Sequence, residues 1–255
     1  MSTFLTAEWR KLIMAQYAID PAILTPWLPA GVELDLYKDS QALDNKDSEA
    51  PDKPATCYVS LVGFLFDRVR VKGVAIPFHT RFEEVNLRFY VARAEADGTR
   101  RRGVVFIREF VPRAAITLIA NSIYEEPYAT LPTYSTISNA RGILNVRYSW
   151  QHNKVWHSLA VKASPTPEAI PPNSEAEFIT EHYWGYTKRG DGSTSQYEVQ
   201  HPRWQTYPIL SHEIRADFGA LYGETFAFLN DQRPSSILLA EGSVISVHSG
   251  TRLNA

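Results

Sequence analysis

The sequence has little cysteine, and this scarcity limits the kinds of site and compartment that fit it. Cys57 is the single cysteine among 255 residues. An intramolecular disulfide framework and a cysteine-rich zinc site are therefore both excluded. A lone cysteine in an apolar segment is typical of a small buried side chain. We expect a reducing compartment, and the predicted location is the cytoplasm.

Long apolar runs and an excess of one charge are also missing. No segment reaches the roughly 18 consecutive apolar residues that a membrane-spanning helix needs. The formal net charge is −2, which gives no broad electrostatic attraction to nucleic acid or to an anionic membrane surface. The sequence therefore predicts neither of these partners, and any ligand is expected to be held by local charges.

Motifs for the common cofactors and nucleophiles are absent as well. The glycines form neither a GxGxxG pattern nor a P-loop between a strand and a helix, as phosphate binding requires. A helical HExxH pair and a G-x-S-x-G nucleophile elbow are missing, and His152 with His157 makes only a weak metal pair. We predict no cofactor and no metal, and a hydrolase mechanism is disfavoured.

The sequence does contain a long series of predicted strands and few helices. Short apolar and β-branched runs, separated by turns such as Asp97-Gly98, are typical of strands. The predicted strands cover 9–17, 32–37, 56–70, 83–93, 103–111, 142–150, 154–163, 195–200 and 237–247, with a proline-interrupted apolar segment at 204–210. Helices are predicted at Pro21–Leu28, at Ala114–Tyr124, after Ser174 and from Asp217.

One stretch of the chain differs in composition from the rest. Residues 38–54 are rich in Asp, Ser, Lys and Ala and contain almost no apolar side chains, which predicts a mobile loop. No repeat and no linker divides the remainder, and one hydrophobic core can serve a chain of this length. We therefore predict one domain over residues 1–255.

A predicted strand in the centre of the chain has an unusually polar face. Because side chains alternate along a strand, every second residue points the same way. The residues that share this face are Glu84, Asn86, Arg88 and Tyr90. Such a face contacts solvent or lines a polar cavity, and alternation by itself favours solvent, since antiparallel sheets often have one wet face. The next strand is apolar until Arg108 and Glu109, which we expect at its rim.

The order of motifs along the chain resembles a known superfamily. Trp9-Arg10, a strand ending at Tyr17 and the segment LPAGVEL at 28–34 resemble the opening of acetoacetate decarboxylases. Phe82-Glu83-Glu84 is similar to their aromatic-x-Glu segment. More closely, the combination of FEEVNLRFYV, GVVFIREFVPR, LPTY and HPRW is similar to the YqjF-like DUF2071 family of bacterial proteins, a branch of the same superfamily. This resemblance covers nearly the whole chain.

The resemblance implies a fold of the α+β, β-rich class. It is an antiparallel β cone or barrel with a few flanking helices, around a cavity that receives a keto acid in the decarboxylases. Carried over residue by residue, Arg10 is the cavity arginine and Glu84 the cavity acid. The chain departs from the enzymes where two lysines follow a proline, because Tyr128-Ala129 follows Pro127 here. Tyrosine cannot form a Schiff base, so decarboxylation by the lysine mechanism is not expected.

The first functional hypothesis is a small-molecule-binding protein whose ligand is a carboxylate or keto acid. Arg10 or Arg88 would hold the ligand carboxylate in a bidentate pair. The other residues predicted to contact the ligand are Glu84, Asn86, Tyr128, His201 and Trp204. His201 is either a proton carrier in the cavity or a structural histidine. An internal salt bridge between the arginine and the acid is the structural alternative.

Two other classes of function remain open. A lysine-independent lyase or hydratase-like enzyme acting on a keto acid would use Glu84 as general acid or base and Arg10 to hold the anion. A protein-interaction module would use the aromatic segments 182–186 and 201–204, since Trp, Tyr and Arg are common at interface hot spots. The same segments also fit a cavity wall or ordinary core. The sequence leaves open whether any reaction is catalysed and whether the chain forms a homo-oligomer.

Overall fold

The computed structural model describes residues 2–38, 55–123 and 125–253. The predicted loop at 38–54, apart from Lys38, lies outside these ranges, as does Tyr124. Strands dominate the described residues, as predicted. Of the helices in these ranges, none has the length and apolar character needed to cross a membrane.

The strands and helices follow the predicted order closely. The strands are β1 (Thr3–Ala18), β2 (Glu33–Leu34), β3 (Tyr58–Val71), β4 (Phe82–Ala94), β5 (Arg100–Val111), β6 (Tyr128–Thr130), β7 (Thr133–Ala140), β8 (Ile143–His152), β9 (Val155–Ala163), β10 (Glu168–Ala169), β11 (Trp184–Lys188), β12 (Thr194–Gln200), β13 (Gln205–Thr206), β14 (Ile209–Arg215), β15 (Ser236–His248) and β16 (Thr251–Leu253). The helices are α1 (Pro21–Leu24), α2 (Ala114–Ile123), α3 (Glu175–Thr180) and α4 (Phe218–Tyr222), with 3₁₀ segments at Thr25–Trp27 and Glu224–Asp231.

The helices begin where the sequence places capping residues. Asp20 accepts a hydrogen bond from the Ala22 amide at the start of α1, and Ser174 accepts one from the Glu177 amide at the start of α3. The first helix is shorter than predicted, because Pro26 has no amide hydrogen to continue the α-helical ladder and a 3₁₀ turn replaces it.

The large sheet curls until distant strands meet. Its strands follow the order β10-β13-β15-β1-β3-β4-β5-β11-β12-β16, and β12 also pairs with β15. Most pairs are antiparallel, as predicted, but β5 pairs in parallel with β6 and with β11. The curl gives this sheet an inner face, which surrounds a cavity, and an outer face.

A second sheet covers the outer face. Its order is β14-β9-β8-β7. Tyr148 and Trp150 of this sheet share a hydrophobic core with Ile13 and Leu61 of the large sheet. Strand β7 was not predicted, because its sequence TYSTISNA is polar and most of its residues are exposed at the edge of the sheet. The burial of one face of each sheet against the other is the usual way in which two layers make a core.

Strand β1 carries a bulge beside the cavity. The backbone has φ +54° at Lys11, and the register with β3 shifts directly after Arg10. On the other side, Arg10 pairs with Gly242 of β15, where φ is +79°. A bulge adds one residue to one strand of a pair. Trp9 and Leu12 therefore point to the same inner face although they are three positions apart.

Candidate functional site

A cavity of about 200 Å³ lies within the curled sheet. Most of its lining is apolar, with a smaller group of acidic, tyrosine and arginine side chains. Six of the seven sequence-predicted site residues line it: Glu84, Asn86, Arg88, Tyr128, His201 and Trp204. The cavity therefore brings together residues from β4, from β6 and from the segment that follows β12.

The polar face of β4 is buried rather than exposed to solvent. Glu84 is 2% exposed and Asn86 is 1% exposed. The solvent-facing alternative, which strand alternation favoured, is therefore wrong. Alternation identified the residues that share the face, but the curl of the sheet decides that this face is the inner one.

Three glutamates meet at the polar end of the cavity: Glu84, Glu109 and Glu126. Asn86 of β4 lies directly opposite Glu109 of β5, and Glu109 is in register with Tyr128 of β6. Glu126 precedes β6 by one residue, Pro127. The sheet pairing of β4, β5 and β6 is thus what brings these acids together.

Burial changes the protonation of the three acids. It raises the pKa of Glu84 to about 7, although hydrogen bonds from Asn86 and Tyr128 oppose the rise. Burial raises the pKa of Glu126 to about 8 against a hydrogen bond from Tyr197. The pKa of Glu109 is raised well above its usual range by burial and by the charges of Glu126 and Glu84. Near neutral pH the cluster therefore retains protons that exposed glutamates would lose.

Two tyrosines act as hydrogen-bond donors to this cluster. The Tyr128 hydroxyl donates to Glu84 Oε2 at 3.0 Å, and the Tyr197 hydroxyl donates to Glu126. Burial raises the pKa of both phenols well above the usual value, so both hold their protons. The ring of Tyr197 fits because its cross-strand partner is Gly185, where a Cβ would overlap the ring.

The glutamate cluster has acceptor atoms that the protein leaves unused. Asn86 Nδ2 donates to Glu84 Oε1 at 2.9 Å, but Asn86 Oδ1 is buried without a hydrogen-bond partner in the described part of the chain. Glu109 is 0% exposed, and neither of its side-chain oxygens has a hydrogen-bond partner of ordinary geometry in the described ranges, although Tyr128 and Glu84 lie close enough to affect its pKa. Buried polar atoms without partners are rare in folded proteins and indicate a place for a ligand or water. The sequence suggested that Glu109 lies at an exposed rim, and this prediction is wrong because the residue is buried.

Arg88 is the cation that lines the cavity. Its Nη2 approaches Met14 Sδ at 3.8 Å, and its guanidinium carbon lies 5.8 Å from the ring centroid of Tyr90. Its Nε is buried with no hydrogen-bond partner, and no ion pair to Arg88 occurs within residues 2–38, 55–123 and 125–253. Most donors of this guanidinium are thus available to a ligand.

Arg10 lies outside the cavity, contrary to its predicted place. Its Nη2 is 2.7 Å from Glu8 Oε2, its Nη1 is 3.7 Å from Glu241 Oε1, and its side chain is 33% exposed. Leu12 points to the inner face, and in a regular strand Arg10, two residues earlier, would do the same. The extra residue of the bulge at Lys11 instead directs the Arg10 side chain away from the inner face. The alternative of an Arg10–Glu84 salt bridge is not formed either.

Among the histidines that line the cavity, His182 and His201 are held in neutral form. His182 Nε2 lies 3.1 Å from Asp35 Oδ2, and burial lowers the pKa of His182 to about 4. The ring of His201 stacks on Trp204 with 4.3 Å between centroids, and burial lowers its pKa as well. Most residues of the segments 182–186 and 201–204 therefore supply cavity wall and core, whereas Pro202 and Arg203 are exposed.

Sequence reasoning missed several residues of the site, above all Glu126 and Tyr197. Glu126 stands just before the Pro127-Tyr128 pair that marked the departure from the decarboxylases, so its position was a usable signal. Tyr197 gave no local signal, because it reaches the cluster through the pairing of β11 with β5 and β12. No group of three His, Cys, Asp or Glu side chains in the described ranges has an arrangement suited to a metal ion.

Several solved structures of acetoacetate decarboxylase-like proteins are similar to this chain. Acetoacetate decarboxylase from Legionella pneumophila matches with a TM-score of 0.62 at 13% identity, over 100% of this chain and 90% of that one. An acetoacetate decarboxylase-like enzyme from Sphingomonas wittichii matches with a TM-score of 0.63 at 13% identity, over 100% and 95%. The enduracididine biosynthesis enzyme MppR, complexed with pyruvate, matches with a TM-score of 0.61 at 12% identity, over 100% and 92%. These matches confirm the predicted fold.

Sequence comparison identifies the family more closely than it identifies a function. No curated protein sequence matches the chain. The profile of DUF2071, described as an uncharacterized conserved protein, matches residues 6–244. This range runs from β1 into β15 and includes every residue of the glutamate cluster. The chain belongs to the DUF2071 family.

Proposed function

We propose that this protein binds a small organic acid, either a carboxylate or a keto acid, in the cavity. The observation that carries the proposal is the guanidinium of Arg88, which lines an apolar cavity and has no carboxylate partner in the described ranges. A partly buried cation without a close ion pair is unfavourable, and Arg88 has only a longer-range electrostatic interaction with Glu84, whose pKa it lowers. A ligand carboxylate would supply the missing charge and accept two hydrogen bonds from the planar guanidinium.

The glutamate cluster complements an anion only when it is protonated. With its pKa near 7, Glu84 exists as a mixture of acid and carboxylate at neutral pH. The protonated acid donates a hydrogen bond, which suits a ligand carbonyl oxygen, whereas the ionised form repels a ligand anion. A keto acid would thus place its carboxylate at Arg88 and its carbonyl at the acids. The pyruvate complex of MppR, a protein with a similar fold, is consistent with this ligand class.

A second candidate function is acid–base catalysis on the same ligand. Clusters of acids with strongly raised pKa values in a cavity are typical of catalytic sites. A base near neutrality beside a bound keto acid is suited to removing a proton next to the carbonyl, and a neighbouring protonated acid is suited to stabilising the enolate. No lysine is among the described residues that line the cavity, and the proposal includes no Schiff base.

Replacement of Arg88 by methionine tests the binding proposal. We expect Arg88→Met to weaken the binding of keto acids by about tenfold to a hundredfold, because it removes charged hydrogen bonds to the ligand. The measurement is the rise in unfolding temperature, followed by calorimetry, with pyruvate, acetoacetate, larger 2-keto acids and their uncharged methyl esters.

Arg10→Met is the matched control, since Arg10 belongs to β1 of the same sheet but lies outside the cavity. The affinity of the Arg10→Met variant for keto acids should equal that of the wild type. The reverse pattern, with binding lost in Arg10→Met and kept in Arg88→Met, would contradict the assignment of Arg88. Equal stabilisation by acids and methyl esters would contradict a carboxylate site.

Replacement of Glu84 by glutamine separates binding from catalysis. If the site is catalytic, Glu84→Gln should bind keto acids at low pH as the wild type does, but should lose the exchange of ligand α-protons with deuterium in heavy water. This exchange is followed by NMR on ligands with protons next to the carbonyl. Exchange at the wild-type rate in the variant would remove Glu84 from the role of base.

A further inference from the structure

The apolar part of the cavity is built largely from aromatic rings. Trp9 contacts Phe64 and Phe66 edge to face, with ring centroids 5.3 and 5.9 Å apart. On its other side Trp9 packs against Trp204 at 6.2 Å. All four rings line the cavity, and we call them the aromatic wall. Aromatic rings in such edge-to-face sets form a rigid surface that is well suited to another flat ring.

The aromatic wall is continuous with the acidic end of the cavity. In the pairing of β3 with β4, Phe64 lies directly opposite Glu84. In the pairing of β1 with β3, Trp9 lies directly opposite Phe66. The strand order β1-β3-β4-β5 therefore places the part of the aromatic wall on β1 and β3 beside the acids of β4 and β5. The cavity is amphipathic, because its lining combines the acids and Arg88 with the aromatic wall and aliphatic side chains.

The size of the cavity also exceeds the needs of a three-carbon acid. At about 30 Å³ for each molecule of liquid water, a volume of this order has room for about seven waters. Apolar surface that faces water is unfavourable, and burying it against a ligand group releases that water. A ligand such as pyruvate would occupy the acidic end and leave the aromatic wall uncovered.

One polar atom interrupts the aromatic wall. Trp9 Nε1 is buried and has no hydrogen-bond partner in the described part of the chain. By contrast, Trp204 Nε1 donates to Ser243 Oγ at 2.9 Å. An indole N–H in a cavity wall can donate to a single acceptor of a ligand, but it cannot balance a second carboxylate.

From these features we infer that the ligand is a monocarboxylate with an aromatic or branched apolar substituent, such as a 2-keto acid that carries an aryl group. The inference rests on the proposed function and adds the class of side chain that the ligand carries. A dicarboxylate of similar length is disfavoured, because its second charge would be desolvated against the aromatic wall.

A matched series of acids tests this inference. Calorimetry on the full chain at pH 6 compares pyruvate, 4-methyl-2-oxopentanoate, phenylpyruvate and 2-oxoglutarate. We expect phenylpyruvate to bind about tenfold to a hundredfold more tightly than pyruvate, with the branched acid between them, because each adds buried apolar surface. 2-Oxoglutarate should bind no more tightly than pyruvate.

Variants of the aromatic wall provide the second arm of the test. Phe64→Leu keeps an apolar side chain of similar size. It should weaken the binding of phenylpyruvate by about twofold to tenfold and leave the binding of pyruvate unchanged. Phe218→Leu is the matched control, since Phe218 is a buried aromatic residue of the core between the sheets and does not line the cavity. Phe218→Leu should change neither the affinity for phenylpyruvate nor the affinity for pyruvate.

The outcomes distinguish this inference from the function on which it rests. Equal affinities for pyruvate and phenylpyruvate, both lost in Arg88→Met, would overturn the aromatic ligand class and leave the carboxylate site in place. Tighter binding of 2-oxoglutarate than of phenylpyruvate would overturn the inference in the same way. Failure of all four acids to bind would overturn both proposals.

Discussion

Glu109→Gln is expected to raise the unfolding temperature by about 4 °C or more at pH 8, and to change it little at pH 5. In the wild type, Glu109 is fully buried, and neither of its side-chain oxygens has a hydrogen-bond partner of ordinary geometry in the described ranges, while Glu84 and Tyr128 are its polar neighbours. Glutamine has nearly the same shape and no charge. Its amide can also donate to Asn86 Oδ1, an unused acceptor on the residue directly opposite.

The sign of the pH dependence follows from the raised pKa of Glu109. Burial and the neighbouring acids hold this pKa well above the usual value of an unfolded glutamate. As pH rises from about 4.5, the unfolded chain loses this proton first, while the folded protein keeps it. The free energy of unfolding then falls by up to about 1.4 kcal/mol for each pH unit until the folded state also ionises. Glutamine does not titrate, so the free energy of unfolding of the variant does not fall with pH for this reason.

Thermal unfolding of the wild type and the variant between pH 5 and pH 8 measures the effect. Glu168→Gln is the control, because Glu168 is exposed on the short edge strand β10. It should leave the pH profile of stability unchanged. A Glu109→Gln variant that is destabilised equally at both pH values would mean that the fold needs the Glu109 carboxylate in its ionised form.

Gly242→Ala is expected to destabilise the protein by about 3 kcal/mol or more, which corresponds to a fall of roughly 6 to 12 °C in unfolding temperature. Gly242 has φ +79°, a conformation that L residues with a Cβ adopt only with strain. A Cβ at this position would also overlap the backbone carbonyl of Trp9 in β1. Backbone cannot rotate away as the end of a flexible side chain can, so β1 and β15 would have to separate locally.

Gly192→Ala is the matched control for this variant. Gly192 has φ +85°, but nothing lies within 4 Å of the place that a Cβ would occupy. This substitution should show only the conformational cost of about 1 to 2 kcal/mol. Because Trp9 belongs to the aromatic wall, Gly242→Ala should also weaken ligand binding beyond its effect on stability. Equal destabilisation by the two substitutions would show that the approach of Gly242 to Trp9 is not tight.

The strands were largely predictable from sequence, because alternation and turn residues are local signals. Alternation on β4 correctly grouped Glu84, Asn86 and Arg88 on one face. It gave no information on what lies opposite that face, because this depends on the closure of the sheet through pairs such as Gly185 with Val104 and Val199 with Val247. Such pairs join segments far apart in sequence, and no local pattern encodes them.

The misplaced arginine has a different physical origin. A side-chain period of two predicts facing only while the strand is regular. The bulge at Lys11 breaks this period, and no glycine or proline within β1 marks it. The glycine associated with the bulge is Gly242, which pairs with Arg10 but lies more than two hundred residues away in sequence. We therefore propose Arg88 for the role predicted for Arg10, since the register of β4 with β3 is continuous at Arg88 although its register with β5 shifts there.

If the protein binds an organic acid as proposed, the glutamate cluster would also affect the heat of that binding. A bound anion would raise the pKa values of Glu84 and Glu126 above their already raised levels, because like charges disfavour ionisation. Association near pH 7.5 is then accompanied by the uptake of protons from the buffer, and affinity falls as the solution becomes alkaline. The apparent enthalpy of binding would vary with the ionisation enthalpy of the buffer. The protein would release its ligand when the pH rises and retain it when the pH falls.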